Sequence, residues 1–171
     1  MNDAPQTLPA VYRFNRWANE HIRAAVTAAG EERARRPLDL WFGSLFAVLA
    51  HLVAAEAIWL PRLRDGVSAP RLLAADDFPS LDALVSEWRD LDARWESYVA
   101  TLSPAELAAD VTWTNTRGVV SVLPRETLVL HVAFHSSEHR AQAALALTQL
   151  GISHGPQDFF LMPRDGAPKR A

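Results

Sequence analysis

His131-Val132-Ala133-Phe134-His135-Ser136-Ser137-Glu138-His139-Arg140-Ala141-Gln142 lies at the middle of the longest helical stretch in the chain, opened by Pro124 and stopped by Gly151. Proline fits the first turn of a helix, where its missing N–H is no loss, and glycine suits the left-handed residue just past the end. At 3.6 residues per turn, His131, His135 and His139 share one stripe with Leu128, Gln142 and Ala146. The surrounding positions are mostly apolar, so the stripe is expected to face the core. A buried imidazole needs partners for its ring nitrogens, and three in series therefore point to a common partner such as a metal ion.

One ion cannot take all three. The outer pair is eight residues apart, about 12 Å along the axis, whereas metal–nitrogen bonds are only about 2 Å. An i, i+4 pair can converge, so this helix supplies two ligands and a third must come from elsewhere. His51 is the natural donor, on a stripe with Ser44, Ala47, Val48, Ala55 and Ile58 whose small residues leave room for an ion. His21 and His154 sit among polar or loop residues and read as surface. Other site chemistries lack their patterns. No His has Glu three residues before it, as di-iron carboxylate bundles require. His-Glu-x-x-His is absent, as are a Gly-rich phosphate loop and a Gly-x-Ser-x-Gly elbow.

Outward from this helix, the spacing predicts three more long ones. Leu8 to Ala29 has Pro9 in its first turn and Gly30 as its stop. Ser44 caps a helix to about Leu63, and Ser80 caps another to about Ala100, with Leu81, Leu84, Trp88, Leu91 and Trp95 at three- and four-residue spacing. The charged run Glu31-Glu32-Arg33-Ala34-Arg35-Arg36-Pro37 reads as a solvated loop, and Arg64 to Pro79, rich in Gly, Pro and Asp, as a longer one. Ser103-Pro104-Ala105-Glu106 has the capping-box pattern of a short helix. Val111–Thr114 and Val119–Val122 are β-prone runs around Asn115-Thr116-Arg117-Gly118, a small hairpin. The tail from Gly151 to Ala171 reads as irregular. The expected fold is all-α: an antiparallel four-helix bundle with a small β-hairpin inserted before the last helix, as one domain over residues 1–171.

Composition narrows the function classes. The chain has 171 residues, 49% of them apolar and 22% charged, which suffices for one core without staples. There is no Cys, so disulfides, thiolate nucleophiles and Fe–S clusters are excluded. A net charge of −3 offers no global field for nucleic acid. The longest apolar stretches, such as Leu45–Leu60, carry His51 and Glu56 and fall short of a span of about 20 residues, so no membrane partner is expected. Met1-Asn2-Asp3-Ala4-Pro5 has no leader character, and the expected location is cytoplasmic. Leu130, Ala133, Phe134, Ala141, Ala144 and Leu145 lie away from the His stripe. A helix apolar on nearly every side is buried on every side, so a homodimer is expected. The Trp residues (Trp17, Trp41, Trp59, Trp88, Trp95, Trp113) read as core.

His51, Glu56 and Trp59, together with His135-Ser136-Ser137-Glu138-His139-Arg140-Ala141-Gln142 and the opening Tyr12-Arg13-Phe14-Asn15-Arg16-Trp17-Ala18-Asn19, resemble the DinB/YfiT-like superfamily of metal-dependent proteins. The resemblance spans nearly the whole chain. It departs at Ala141, where the family usually has Gly. It implies an antiparallel four-helix bundle with a divalent ion, commonly nickel or zinc, on His51, His135 and His139, leaving His131 out. His131 and Gln142 are then candidates to hydrogen-bond a ligand or its bound water. Glu56 sits about 140° around the helix from His51, a poor fourth ligand better suited to pairing with an Arg, and Asn15 is expected to offer a polar group to the cavity.

The resemblance also implies function. Characterised relatives include transferases and isomerases that use a low-molecular-weight thiol such as mycothiol or bacillithiol. Three neutral imidazoles would leave zinc an open position where a thiol can bind and ionise. One Lys against 16 Arg suggests a GC-rich genome and leaves both thiols open. The expected activity is a metal-dependent thiol S-transferase or a related hydrolytic enzyme acting on a small molecule. The alternative is a non-catalytic stress-response protein with a structural ion. No side chain stands out as a general base, and no catalytic residue is assigned.

Overall fold

The computed structural model describes residues 7–163. The expectations for Met1–Pro5 and for the end of the tail to Ala171 lie outside those residues. The described part is mostly helical: α1 (Thr7–Ala29), α2 (Glu31–Ala34), α3 (Leu45–Asp65), α4 (Leu81–Thr101), α5 (Pro104–Ala108), strands β1 (Asp110–Thr114) and β2 (Val120–Pro124), and α6 (Arg125–Gln149). The long helices pack α3 on α6, α1 on α4, α1 on α6 and α3 on α4. Between them lie the fully buried Ile22, Leu49, Leu52, Leu84, Trp88, Leu91 and Val129.

The helix ends follow from their residues. Ser44 Oγ accepts from Ala47 N at 3.1 Å, and Ser80 Oγ from Ala83 N at 3.2 Å, each satisfying an orphan N–H of a first turn. Ser103 and Glu106 form the reciprocal capping box at α5. α3 stops at Gly66, whose φ of 68° is the left-handed conformation that closes a helix. The hairpin pairs antiparallel with Trp113 opposite Ser121. Its turn is held by Asn115 Oδ1, which accepts from Arg117 N and Val119 N.

The structure differs from the sequence expectation in the connectors. The run after Gly30 is not a solvated loop: Glu31–Ala34 is a helical turn with Ala34 fully buried. Its charges serve other helices. Glu31 Oε2 accepts from Leu81 N at the start of α4, and Arg33 Nη2 donates to Leu150 O at the end of α6, each placed where the helix dipole favours its sign. In the segment before Ser80, Ala75–Asp77 forms a 3-10 turn clasped by the Arg71–Asp77 pair. The tail carries another at Phe159–Leu161.

α3 is also longer than the expected apolar stretch. Its 21 residues are long and apolar enough to cross a membrane by length and composition, but 72% of the apolar window is buried inside the protein. A helix apolar all round is also the core helix of a folded domain, and α3 has that place here.

Candidate metal centre

The packing of α3 on α6 brings His51 opposite His135 and His139. One candidate ligand nitrogen of each lies within 4.8 Å of the others. On α6 the Nε2 atoms of His135 and His139 are 3.1 Å apart. From α3, the His51 ring centroid is 4.6 Å from that of His139 and 5.4 Å from that of His135. Two nitrogens on one tetrahedral ion, each bonded at 2.0–2.1 Å, stand about 3.3 Å apart. The α6 pair therefore already has the spacing one divalent ion needs, and imidazole ligands suit zinc, copper, iron and nickel alike.

Electrostatics keep the lone pairs available. Burial lowers the pKa of His51, helped by the neighbouring His139. Burial, followed by the nearby rings of His139, His51 and His131, lowers His135 to about 4. Both rings are thus neutral at neutral pH, the form that ligates. Gln142, one turn beyond His139, places Oε1 2.9 Å from His139 Nδ1. With the amide oxygen accepting from Nδ1–H, the Nε2 lone pair of His139 is left facing His135.

His131 is not part of this group, and the stripe does not face the core along its whole length. His131 is exposed, His135 half-buried and His139 buried. Successive i+4 positions advance about 40° around a helix, so the row winds from solvent into the interior. The His131 ring lies 5.9 Å from that of His135 and 5.6 Å from that of Trp59. Among the described residues no hydrogen bond joins it to His135 or His139.

An aromatic ring covers the cluster, and sequence reasoning missed it. The tight loop before α3, closed by Leu38 N donating to Gly43 O at 2.8 Å, sets Phe42 against His51 at 4.7 Å between ring centroids and against the edge of His139 at 5.5 Å. Only its position two residues before the Ser44 cap could have hinted at this. Beside His131, outside the group, Trp59 meets Trp113 of the hairpin at 5.5 Å. The expectation that all six Trp are core holds for Trp88 and Trp95; Trp17, Trp59 and Trp113 are half-buried, and Trp41 is 95% exposed. Trp17, Trp59 and Trp113 lie where a helix or hairpin meets solvent, and Trp41 lies in the loop before α3.

Behind the cluster runs a buried polar layer. Glu56 does not hydrogen-bond an Arg, as expected of it; Ser136 Oγ donates to its Oε1, and among the described residues Oε2 has no partner. Burial, with Asp92 second, raises the Glu56 pKa well above the carboxylate range. Burial also raises the Asp92 pKa, but Arg23 and Asn19 hold its carboxylate and oppose that rise. Asn15 is not a cavity group either: its Oδ1 accepts from Arg140 Nη1 at 3.2 Å and its Nδ2 donates to Ala133 O at 3.4 Å. Arg140 points inward for the same reason that Ser136 does, because both lie on the core face of α6. His21 and His154 are half-buried rather than surface residues, since the tail folds back and places Pro156 O 2.9 Å from His21 Nδ1.

The comparisons with known proteins bear on this geometry. Residues 16–143 match the family model described as the DinB superfamily, a span that takes in His51, His135 and His139. The fold is similar to the crystal structure of a DinB-like protein from Bacillus cereus, with a TM-score of 0.68 and 14% identity over 91% of this chain and 99% of that one. At that identity the likeness is one of fold. No curated protein matches the chain.

Proposed function

The chain belongs to the DinB superfamily, and from that premise we propose that His51, His135 and His139 hold one divalent ion, zinc or nickel, in a metal-dependent transferase that uses a low-molecular-weight thiol, or in a related hydrolytic enzyme. The observation that carries the proposal is the convergence of three imidazoles from two helices within 4.8 Å. A bound ion would supply Lewis acidity, lowering the pKa of a thiol or water brought to it.

The chain's own residues would do the rest. Gln142 orients His139, and the packing of α3 on α6 presets the distance between the third ring and the pair. Phe42 covers His51 and His139 with apolar surface, which would exclude water and receive the carbon framework of a substrate. Among the described residues no fourth protein ligand joins the group, and Glu56 is turned inward on Ser136. An open position favours catalysis over a purely structural ion. We further propose the antiparallel four-helix bundle as the arrangement of α1, α3, α4 and α6, and a homodimer formed through α6. Leu130, Ala133 and Ala144 pack wholly or partly inside, which leaves Phe134 (68% exposed), Leu145 (52%) and the exposed Ala141 as the apolar surface for that contact.

Cobalt substitution tests the reading. The d–d spectrum of the Co²⁺ protein should change on adding mycothiol or bacillithiol, as a thiol enters the coordination sphere. A spectrum indifferent to both and to glutathione would defeat the thiol-transfer reading. Retention of metal by His51→Ala would defeat the site itself.

A further inference from the structure

On the other flank of α1, a cleft of about 850 Å³ opens between that helix, α4 and the tail. None of His51, His135 and His139 lines it. Its walls combine arginines (Arg13, Arg16, Arg89) with aromatic surface (Trp17, Phe159, Phe160). Among the described residues that line it, Glu20 is the one carboxylate, in a chain whose net charge is −3. The cleft therefore concentrates positive charge against the trend of the whole molecule.

We propose that this cleft is a binding site for a small organic anion, its carboxylate, sulfonate or phosphate held by Arg16 and Arg89 and its apolar body laid against Trp17, Phe159 and Phe160. The volume lies within the ordinary range for small-molecule sites, about 300–1,000 Å³. Phe160 is 79% exposed and Phe159 52%, large apolar faces that a ligand body would remove from water. Phe159 is no loose side chain, because its ring rests 5.1 Å from Phe14 of α1.

The guanidinium groups have capacity to spare. Arg16 meets Glu96 at 3.3 Å and Arg89 meets Glu20 at 3.7 Å, with the two arginine side chains 56% and 59% exposed. Exposed pairs of this kind are weak, and a guanidinium carries five N–H donors in a fork that matches an oxyanion. Arg23 is excluded from the role, since it is buried and committed to Asp92 and Glu20.

The test uses the whole protein and the aromatic sulfonate 1-anilinonaphthalene-8-sulfonate, titrated by fluorescence at two salt concentrations. The wild type should show one saturable site whose affinity falls with salt. The double variant Arg16→Gln/Arg89→Gln should bind about 100-fold more weakly, the loss of two charge-assisted contacts at about tenfold each. Phe160→Ser should weaken binding too, whereas Val122→Ser, which removes an exposed apolar side chain of the hairpin, should leave it unchanged. Circular dichroism confirms that each variant folds. Equal affinity in the arginine variant, an equal effect of Val122→Ser, or the absence of a saturable site would overturn the proposal. So would loss of binding in His51→Ala, which would place the probe at the histidine cluster.

Discussion

The amide oxygen of Gln142 lies 2.9 Å from Nδ1 of His139, one turn along the same helix, and with that oxygen accepting from Nδ1–H the free nitrogen of His139 is Nε2. A donor in place of that oxygen would occupy the Nδ1 lone pair and leave the ring's proton on Nε2, facing His135. Gln142→Ala is therefore expected to weaken metal binding about 10–100-fold, the usual loss when a ligand's hydrogen-bond partner is removed. Gln142→Glu, which keeps an acceptor at the same reach, should retain most of it. Competition titration against a chromophoric chelator measures both, and equal affinity in Gln142→Ala would remove Gln142 from the site.

Untagged protein should carry close to one divalent ion per chain, because the three rings converge on a single point. His51→Ala, His135→Ala and His139→Ala should each lose tight binding, while His131→Ala, altering an exposed ring outside the group, should keep the full complement. Elemental analysis checks the set. Two ions per chain, or loss in His131→Ala, would contradict it.

Glu56 makes stability depend on pH. Its folded pKa is raised from an ordinary 4.5 to about 8 by burial, so between those values the folded state binds a proton that the unfolded state has released. Stability from this group is fully present below about 4.5 and is lost as pH rises through about 8. Glu56→Gln keeps an acceptor for Ser136 without the titration. In urea unfolding from pH 5 to 9 it should gain on the wild type as pH rises. A constant difference between the two across that range would show that Glu56 does not hold the proton.

Asp92→Ala should destabilise the protein by about 3–5 kcal/mol, the cost of leaving a buried charge without its partner. Arg23 is 2% exposed and keeps only Glu20, itself 52% exposed, once Asp92 is gone. Asp92→Ala combined with Arg23→Met should recover much of the loss. Denaturant midpoints at neutral pH read the cycle, and additive effects would mean that the pair is not coupled.

Phe134→Ser should abolish self-association if α6 forms the contact between protomers, with little effect on unfolding because the ring is 68% exposed. Sedimentation of the wild type as a monomer at micromolar concentration would remove the dimer.

Much of the helical layout was legible in the chain because it rests on local chemistry. Ser44, Ser80 and Ser103 cap the helices they precede, Gly30 and Gly66 close the helices before them, and the Asn115–Gly118 turn makes the hairpin. The i, i+4 spacing of His135 and His139 is likewise a property of one helix. What only the tertiary structure decided depends on contacts between segments remote in sequence. Phe42 reaches His51 through a loop closure, Arg33 reaches the end of α6, and Glu56 finds Ser136 from another helix. His131 was misplaced because the i+4 row advances about 40° at each step, and only the packing of α3 on α6 shows which part of that row meets the core. Spacing alone could draw the stripe; the packing of α3 against α6 decided that it begins in water at His131 and ends in the core at His139.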